Sequence, residues 1–140
     1  MIEIIRFDFG DELHRAQAFS IRQKVFVVEQ SVDPAEEYEF EEESHHFLLL
    51  KDGTPAMTAR WRETEKGIKL ERFAMLQEYR NQGLGSVLLQ EIVKDVIPFK
   101  KKIYMHAQLK AVPFYERAGF VAEGEIFEES KILHYKMVLR

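Results

Sequence analysis

The chain has no cysteine. That excludes disulfides, thiolate metal sites and a thiol nucleophile. It has no apolar run approaching the ~20 residues a membrane helix needs. Its opening, M-I-E-I-I-R-F-D-F, is too short and too charged to read as a signal peptide. H-E-x-x-H is missing, and so is the phosphate loop G-x-x-x-x-G-K-[ST], so no metal is expected and no Walker-type nucleotide site. An excess of positive charge is missing too. Lys and Arg number 20 against 24 Asp and Glu, for a net charge of −4. This argues against a nucleic-acid partner and permits a cationic substrate. There is no internal repeat and no linker-like stretch. What is present is 140 residues, 46% hydrophobic and 31% charged, which suits one domain over residues 1–140 with one core. A cytoplasmic protein is expected, monomer or homodimer.

The most informative stretch runs from Glu71 to Val93. A β-rich run, Leu70 to Leu76, leads through a turn at Gln77 to Gln82 into Gly83 and Gly85, then an apolar-striped helix to Ile97. A helix start leaves backbone N–H groups unpaired and carries partial positive charge. Glycines let the backbone approach an anion closely, and Arg80 adds a cation with two-pronged geometry. Strand, glycine turn and helix are together a way to hold phosphate, though a glycine turn of this kind also reads as one that simply lets a helix pack on a strand. The dinucleotide fingerprint G-x-G-x-x-G is only half met, because Leu88 stands where its third glycine would be.

Around this stretch the elements read in order. Ile2 to Phe9 is a first strand. Asp11 caps a helix whose apolar face is Ala18, Ile21, Val25 and Val28. Seven acids then crowd residues 33–43, which reads as a solvated loop or helix face, or as a funnel for a cationic amine. Phe47 to Leu50 is a buried strand. Asp52-Gly53 turns into a partner strand carrying Met57, Ala59 and Trp61. In the next strand Ile68 and Leu70 point one way while Phe73 and Met75 sit in the opposite phase. That slip predicts a β-bulge near Glu71-Arg72. The helix after Gly85 turns Val87, Leu88, Ile92 and Val96 inward and stops at Pro98. Ile103, Met105 and Ala107 make a fifth strand. A short helix, Ala111 to Ala118, closes at Gly119. Two last strands follow, joined by an acidic connection from Glu123 to Lys131. The class is α/β (α+β), with helices on both faces of a mixed sheet.

Two strings resemble a known family. R-N-Q-G-L-G-S is similar to the acetyl-CoA pyrophosphate loop of the GNAT superfamily of N-acetyltransferases, [RQ]-x-x-G-x-[GA], with Arg80, Gly83 and Gly85 on its defined positions. H-A-Q-L-K-A-V-P-F-Y-E-R-A-G-F-V, from His106 to Val121, resembles the family's second motif, with Ala111, Phe114, Tyr115, Gly119 and Phe120 matching. The strings I-R-Q-K-V-F-V-V-E-Q and I-L-H-Y-K-M look like those of its ElaA-like branch. The resemblance spans nearly the whole chain. It implies a mostly antiparallel sheet of six to seven strands with about four helices, its fourth and fifth strands splayed to admit a pantetheine arm.

It also implies acetyl transfer from acetyl-CoA to the primary amine of a small molecule or peptide. The pyrophosphate would sit on Arg80, Asn81, Gln82, Gly83, Leu84, Gly85 and Ser86. The pantetheine arm would lie along Phe73, Ala74 and Met75, with Phe114 nearby, and Gln108 would stand in for the Asn usual after the fifth strand. Met75 N–H is a candidate donor to the carbonyl oxygen. Tyr115 is the candidate general acid for the departing thiolate. An alkyl amine is protonated at neutral pH and needs a base. Glu71 and His134 are the candidates, Glu71 reading equally as a cross-strand ion pair and His134 also as a substrate contact. His45, His46 and His106 read as loop-bonding residues, and Glu29 and Gln30 as cleft-facing or helix-capping. A catalytically weak CoA-binding regulatory or structural domain remains the alternative.

Overall fold

A seven-stranded sheet in the order β1-β2-β3-β4-β5-β7-β6 organises the chain in a computed structural model describing all 140 residues. Its strands are β1 (Ile2–Phe7), β2 (His45–Lys51), β3 (Thr54–Thr64), β4 (Gly67–Met75), β5 (Ile103–Gln108), β6 (Phe120–Glu129) and β7 (Ile132–Leu139). Only β4 and β5 run parallel. The α-helices are α1 (Glu12–Arg22), α2 (Pro34–Glu37), α3 (Leu84–Val96) and α4 (Val112–Arg117).

Consecutive residues of β2 feed opposite faces, as strand geometry requires. Phe47 and Leu49 join the larger core cluster, with Leu84, Leu88, Leu89, Ile92 and Val96 of α3. Leu48 joins the smaller one, with Ala18 and Ile21 of α1. The sheet is thus sandwiched between α1 on one side and α3 with α4 on the other, matching the α/β reading. Asp52 and Gly53 both take positive φ, as the expected hairpin turn demands.

The predicted bulge is present. Thr58 pairs with Ala74 and Arg60 with Glu71, so Ala59 alone opposes Arg72 and Phe73. Arg72 absorbs the extra residue at φ 60°. Just before it β4 leaves β5: their pairing covers only Ile68 to Leu70 against Ile103 to Met105. The remaining halves of the two strands diverge into a V.

Four sequence expectations are corrected. Val28 is exposed rather than inward, because α1 continues as a π-helix over Gln23–Glu29. Its wider turn rotates later residues off the α-helical face. Val87 is also exposed; Leu84 and Leu89 complete the stripe of α3 instead. The acidic run Glu123 to Lys131 is mostly strand, β6, with the turn confined to Ser130 and Lys131. An edge strand needs no apolar alternation to stay paired. Finally, the acids of residues 33–43 are not all solvated, since Glu37 and Glu41 are buried.

Candidate active site

Where β4 and β5 part, a cavity of about 590 Å³ opens. Glu71, Phe73 and Met75 come from β4, His106 and Gln108 from β5, Tyr115 from α4 and His134 from β7. The π-helix contributes Val25, Phe26 and Glu29, and Gln30 follows it. Most of the catalytic candidates read from the sequence are therefore gathered in one place. Ala74 is not; it turns into the smaller core cluster. Asn81, Gln82 and Gly83 lie exposed on the adjoining loop, and Ser86 lies exposed in the first turn of α3.

That loop is shaped for close approach. Asn81 and Gly83 have φ of 65° and 79°. No side chain caps α3 at Gly83. The starts of α1 and α2 differ, Asp11 accepting from His14 N–H and Asp33 from Ala35 N–H, while the short α4 also lacks a side-chain cap. The first N–H groups of the 13-residue α3 are left for something else. Gly85 is buried against α4, and a Cβ there would meet Phe114 Cζ at 3.3 Å.

Arg80 is more engaged than the sequence suggested. Its Nε and Nη2 donate to Met75 O at 3.1 and 2.9 Å. Nη2 also reaches both carboxylate oxygens of Glu29, at 2.9 and 3.0 Å. Nη1 is left free of protein partners. Leu76 N–H goes to Ala56 O on β3, so strand alternation turns the N–H of Phe73 and Met75 toward the V. The Met75 carbonyl is taken by Arg80, which leaves its N–H as a donor there.

Glu71 is an ion-pair centre. Arg60 Nη2 and Arg62 Nε lie 2.8 and 2.7 Å from its Oε1, and Lys69 Nζ is 3.5 Å from Oε2. Burial alone would raise this carboxyl, but the charges of Arg60, Arg72, Lys69 and Arg62 outweigh it and push it down to about 2. Of the two readings of Glu71, the geometry matches the cross-strand ion pair, and a group so acidic is a poor proton acceptor. Glu41 joins this network through Arg60 of β3 at 2.9 Å, and both Glu37 and Glu41 pair with Arg22 of α1, at 2.8 and 2.6 Å. They are spent on holding the segment before β2 against α1 and the sheet, and cannot funnel a substrate.

Two histidines present usable nitrogens. His134 Nδ1 lies 2.7 Å from Ile132 O. A carbonyl only accepts, so Nδ1 carries the proton and Nε2 of the neutral ring keeps its lone pair. His106 Nδ1 pairs likewise with Glu129 Oε2 at 3.0 Å, and this hydrogen bond lowers the Glu129 carboxyl. The His106–Glu129 pair was not anticipated, because Glu129 reads locally as part of an acidic connection. His46 does bond a loop, at Glu41 O, while His45 stacks on Trp61.

Tyr115 is 7% exposed, and its ring meets Phe73, Phe114 and Phe120 edge-on. Its hydroxyl has no hydrogen-bond partner in the protein, yet it lines the cavity. Burial pushes the phenol above its usual range, so it stays a neutral donor at any working pH. Gln108 Nε2 donates to Gln30 Oε1 at 2.8 Å.

Comparison with known proteins agrees with this geometry. The Acetyltransferase (GNAT) domain profile matches residues 11–140. The Bacillus subtilis protein YjcF, named as an uncharacterized N-acetyltransferase, is 34% identical over 86% of this chain and 89% of its own. An acyl-CoA N-acyltransferase from Pseudomonas aeruginosa superposes at a TM-score of 0.84, with 26% identity and full coverage of both chains. Escherichia coli ElaA superposes at 0.86 with 22% identity, also over both full chains.

Proposed function

The chain belongs to the GNAT acetyltransferase family, and from that premise we propose that it moves an acetyl group from acetyl-CoA to a primary amine by direct attack. The observation that carries this reading is the V between β4 and β5, which opens beside an uncapped helix start and holds the Tyr115 hydroxyl. A thioester arm fits such a slot as an added strand, pairing with main-chain groups of Phe73 and Met75. The pyrophosphate fits the N–H groups from Gln82 to Ser86 at the positive end of α3. Arg80 can add Nη1 without releasing its other contacts.

The chemistry divides among four groups. The amine nitrogen attacks the thioester carbon. A C–N bond forms, the carbonyl oxygen takes charge in a tetrahedral intermediate, and Met75 N–H donates to it. The C–S bond then breaks and the thiolate leaves with the electron pair. Tyr115 donates a hydrogen bond, and finally a proton, to that sulfur. The ammonium proton goes to His134 Nε2, while Glu71 keeps its ion pairs. Phe114 supports the site by packing between Gly85 and Tyr115. The acceptor's counter-charge would come from Glu36 and Glu39, which line the cavity without ion-pair partners, so a cationic amine suits it.

Amine-dependent release of CoA thiol tests the reading. A panel of primary amines with acetyl-CoA should give turnover with at least one member, and none in Tyr115→Phe above a small residue. Donor binding without turnover across the panel would instead favour a CoA-binding domain of weak activity.

A further inference from the structure

Glu29 and Gln30 are neighbours in the chain, yet they reach to opposite sides of the V. Glu29 ends the π-helix and grips Arg80, which in turn holds the last carbonyl of β4, Met75 O. Gln30 accepts from Gln108, the last residue of β5. The two strands are hydrogen-bonded to each other only as far as Leu70 and Met105. At their far ends, where they stand apart, the connection between them is this two-residue bridge.

We infer that Glu29 and Gln30 form a strap across the mouth of the slot, which parts to let the acyl-CoA arm in and CoA out. The inference rests on the acyl-CoA reading above. Three features favour a strap that opens rather than a fixed wall. The Glu29–Arg80 pair is part-exposed, with side-chain exposures of 36% and 38%, and such pairs are weak in water. The Gln30–Gln108 bond joins two neutral, part-exposed amides, for which water is a ready substitute. Ser31, next in the chain, takes φ 59°, so the strap ends at a backbone reversal rather than continuing into a helix. The rest of the segment is anchored: Val25 and Phe26 are buried on one side and Val32 on the other. Motion is thereby confined to the strap itself.

A strap that gates both directions has a distinct kinetic signature. If entry and exit occur only in the open state, and the strap opens equally over the empty and the filled slot, both rates scale with the open fraction and affinity is unchanged. The test is surface plasmon resonance with CoA and acetyl-CoA over immobilised protein. Gln30→Ala and Gln108→Ala are compared with wild type and with the double variant. All are neutral changes at part-exposed positions, so unaltered melting temperatures will confirm intact folding. Each single variant should raise the association and dissociation rates together, by about 10-fold if the open state is a minor one. The double variant should do no more than either single, because both remove one bond. Unchanged rates overturn the strap. So does a faster dissociation with unchanged association, which would make the glutamines ligand contacts. Failure of wild type to bind either compound overturns the donor reading itself, and the strap with it.

Discussion

Gly85 and Phe114 are in contact across the junction of α3 and α4, so that a Cβ on Gly85 would stand 3.3 Å from the Phe114 ring. Phe114 in turn meets Tyr115 edge-on, with ring centroids 5.1 Å apart. The helix start proposed to receive the phosphates is thus coupled by packing to the residue proposed to protonate the sulfur. Gly85→Ala gains helix propensity of up to about 1 kcal/mol and loses some of it to crowding. Stability should change by less than about 1 kcal/mol, whereas acetyl-CoA affinity should fall roughly 10-fold as Phe114 is displaced. Thermal melts and calorimetric titration of one sample separate the two effects.

Tyr115→Phe removes a hydroxyl that no protein group satisfies. The melting temperature should therefore hold or rise slightly. Acetyl-CoA affinity should be nearly unchanged, while kcat falls by about 10²-fold or more. An unchanged kcat would take Tyr115 out of the mechanism.

His134→Gln keeps a polar side chain but offers no basic nitrogen. The variant should drop in kcat/KM by about 10²-fold. Glu71→Gln should lose much less. If the two outcomes are exchanged, the base has been assigned to the wrong residue.

Glu71 should instead appear in stability. The surrounding Arg60, Arg72, Lys69 and Arg62 charges outweigh burial and push its folded carboxyl down to about 2, below the usual carboxylate range. A depressed carboxyl stabilises the fold above its unfolded pKa, and that contribution is lost as pH falls through the folded value. The shift corresponds to roughly 3 kcal/mol. The wild-type advantage over Glu71→Gln should be flat from pH 7 to about 5 and shrink between 4.5 and 2. Urea melts at stepped pH values measure it. A constant difference would mean that the carboxylate contributes by shape, not charge.

The buried acids of the segment before β2 make a sharper contrast. Glu37→Ala leaves Arg22, itself 1% exposed, paired with Glu41 but without a partner for its buried Nε, and should cost about 1–3 kcal/mol. Replacing exposed Glu36 or Glu39 should cost almost nothing, yet raise KM for a cationic amine. Equal, small effects at all of these sites would contradict the network.

These contrasts mark what local pattern can and cannot reveal. The bulge at Arg72 was legible because strand side chains have a period of two, so a slip in phase has few causes. The turn into α3 at Gly83 was legible because few residue types fit a tight turn of positive φ. The fates of Glu37 and Glu41 were not, since their partner Arg22 lies a helix away in the chain and nothing local pairs them. Val28 was misplaced because periodicity assumes 3.6 residues per turn and the chain there is a π-helix. The β6 strand was hidden by its acids and Gly124, which an edge position tolerates. Within the site, Tyr115 and His134 were found by motif, whereas His106–Glu129 and the Glu29–Arg80 pair depend on strand register and helix phase that only the fold supplies.

The central claim is that the loop from Arg80 to Ser86 and the V beside it hold acyl-CoA. A thermal-shift titration with acetyl-CoA and CoA, run beside ATP and NADH, tests it most directly. Ligand at ~100 times Kd should add roughly 2.7 kcal/mol of stability, a rise of several degrees. The account predicts that rise with acetyl-CoA and CoA alone. No rise with either, or an equal rise with ATP and NADH, would contradict it.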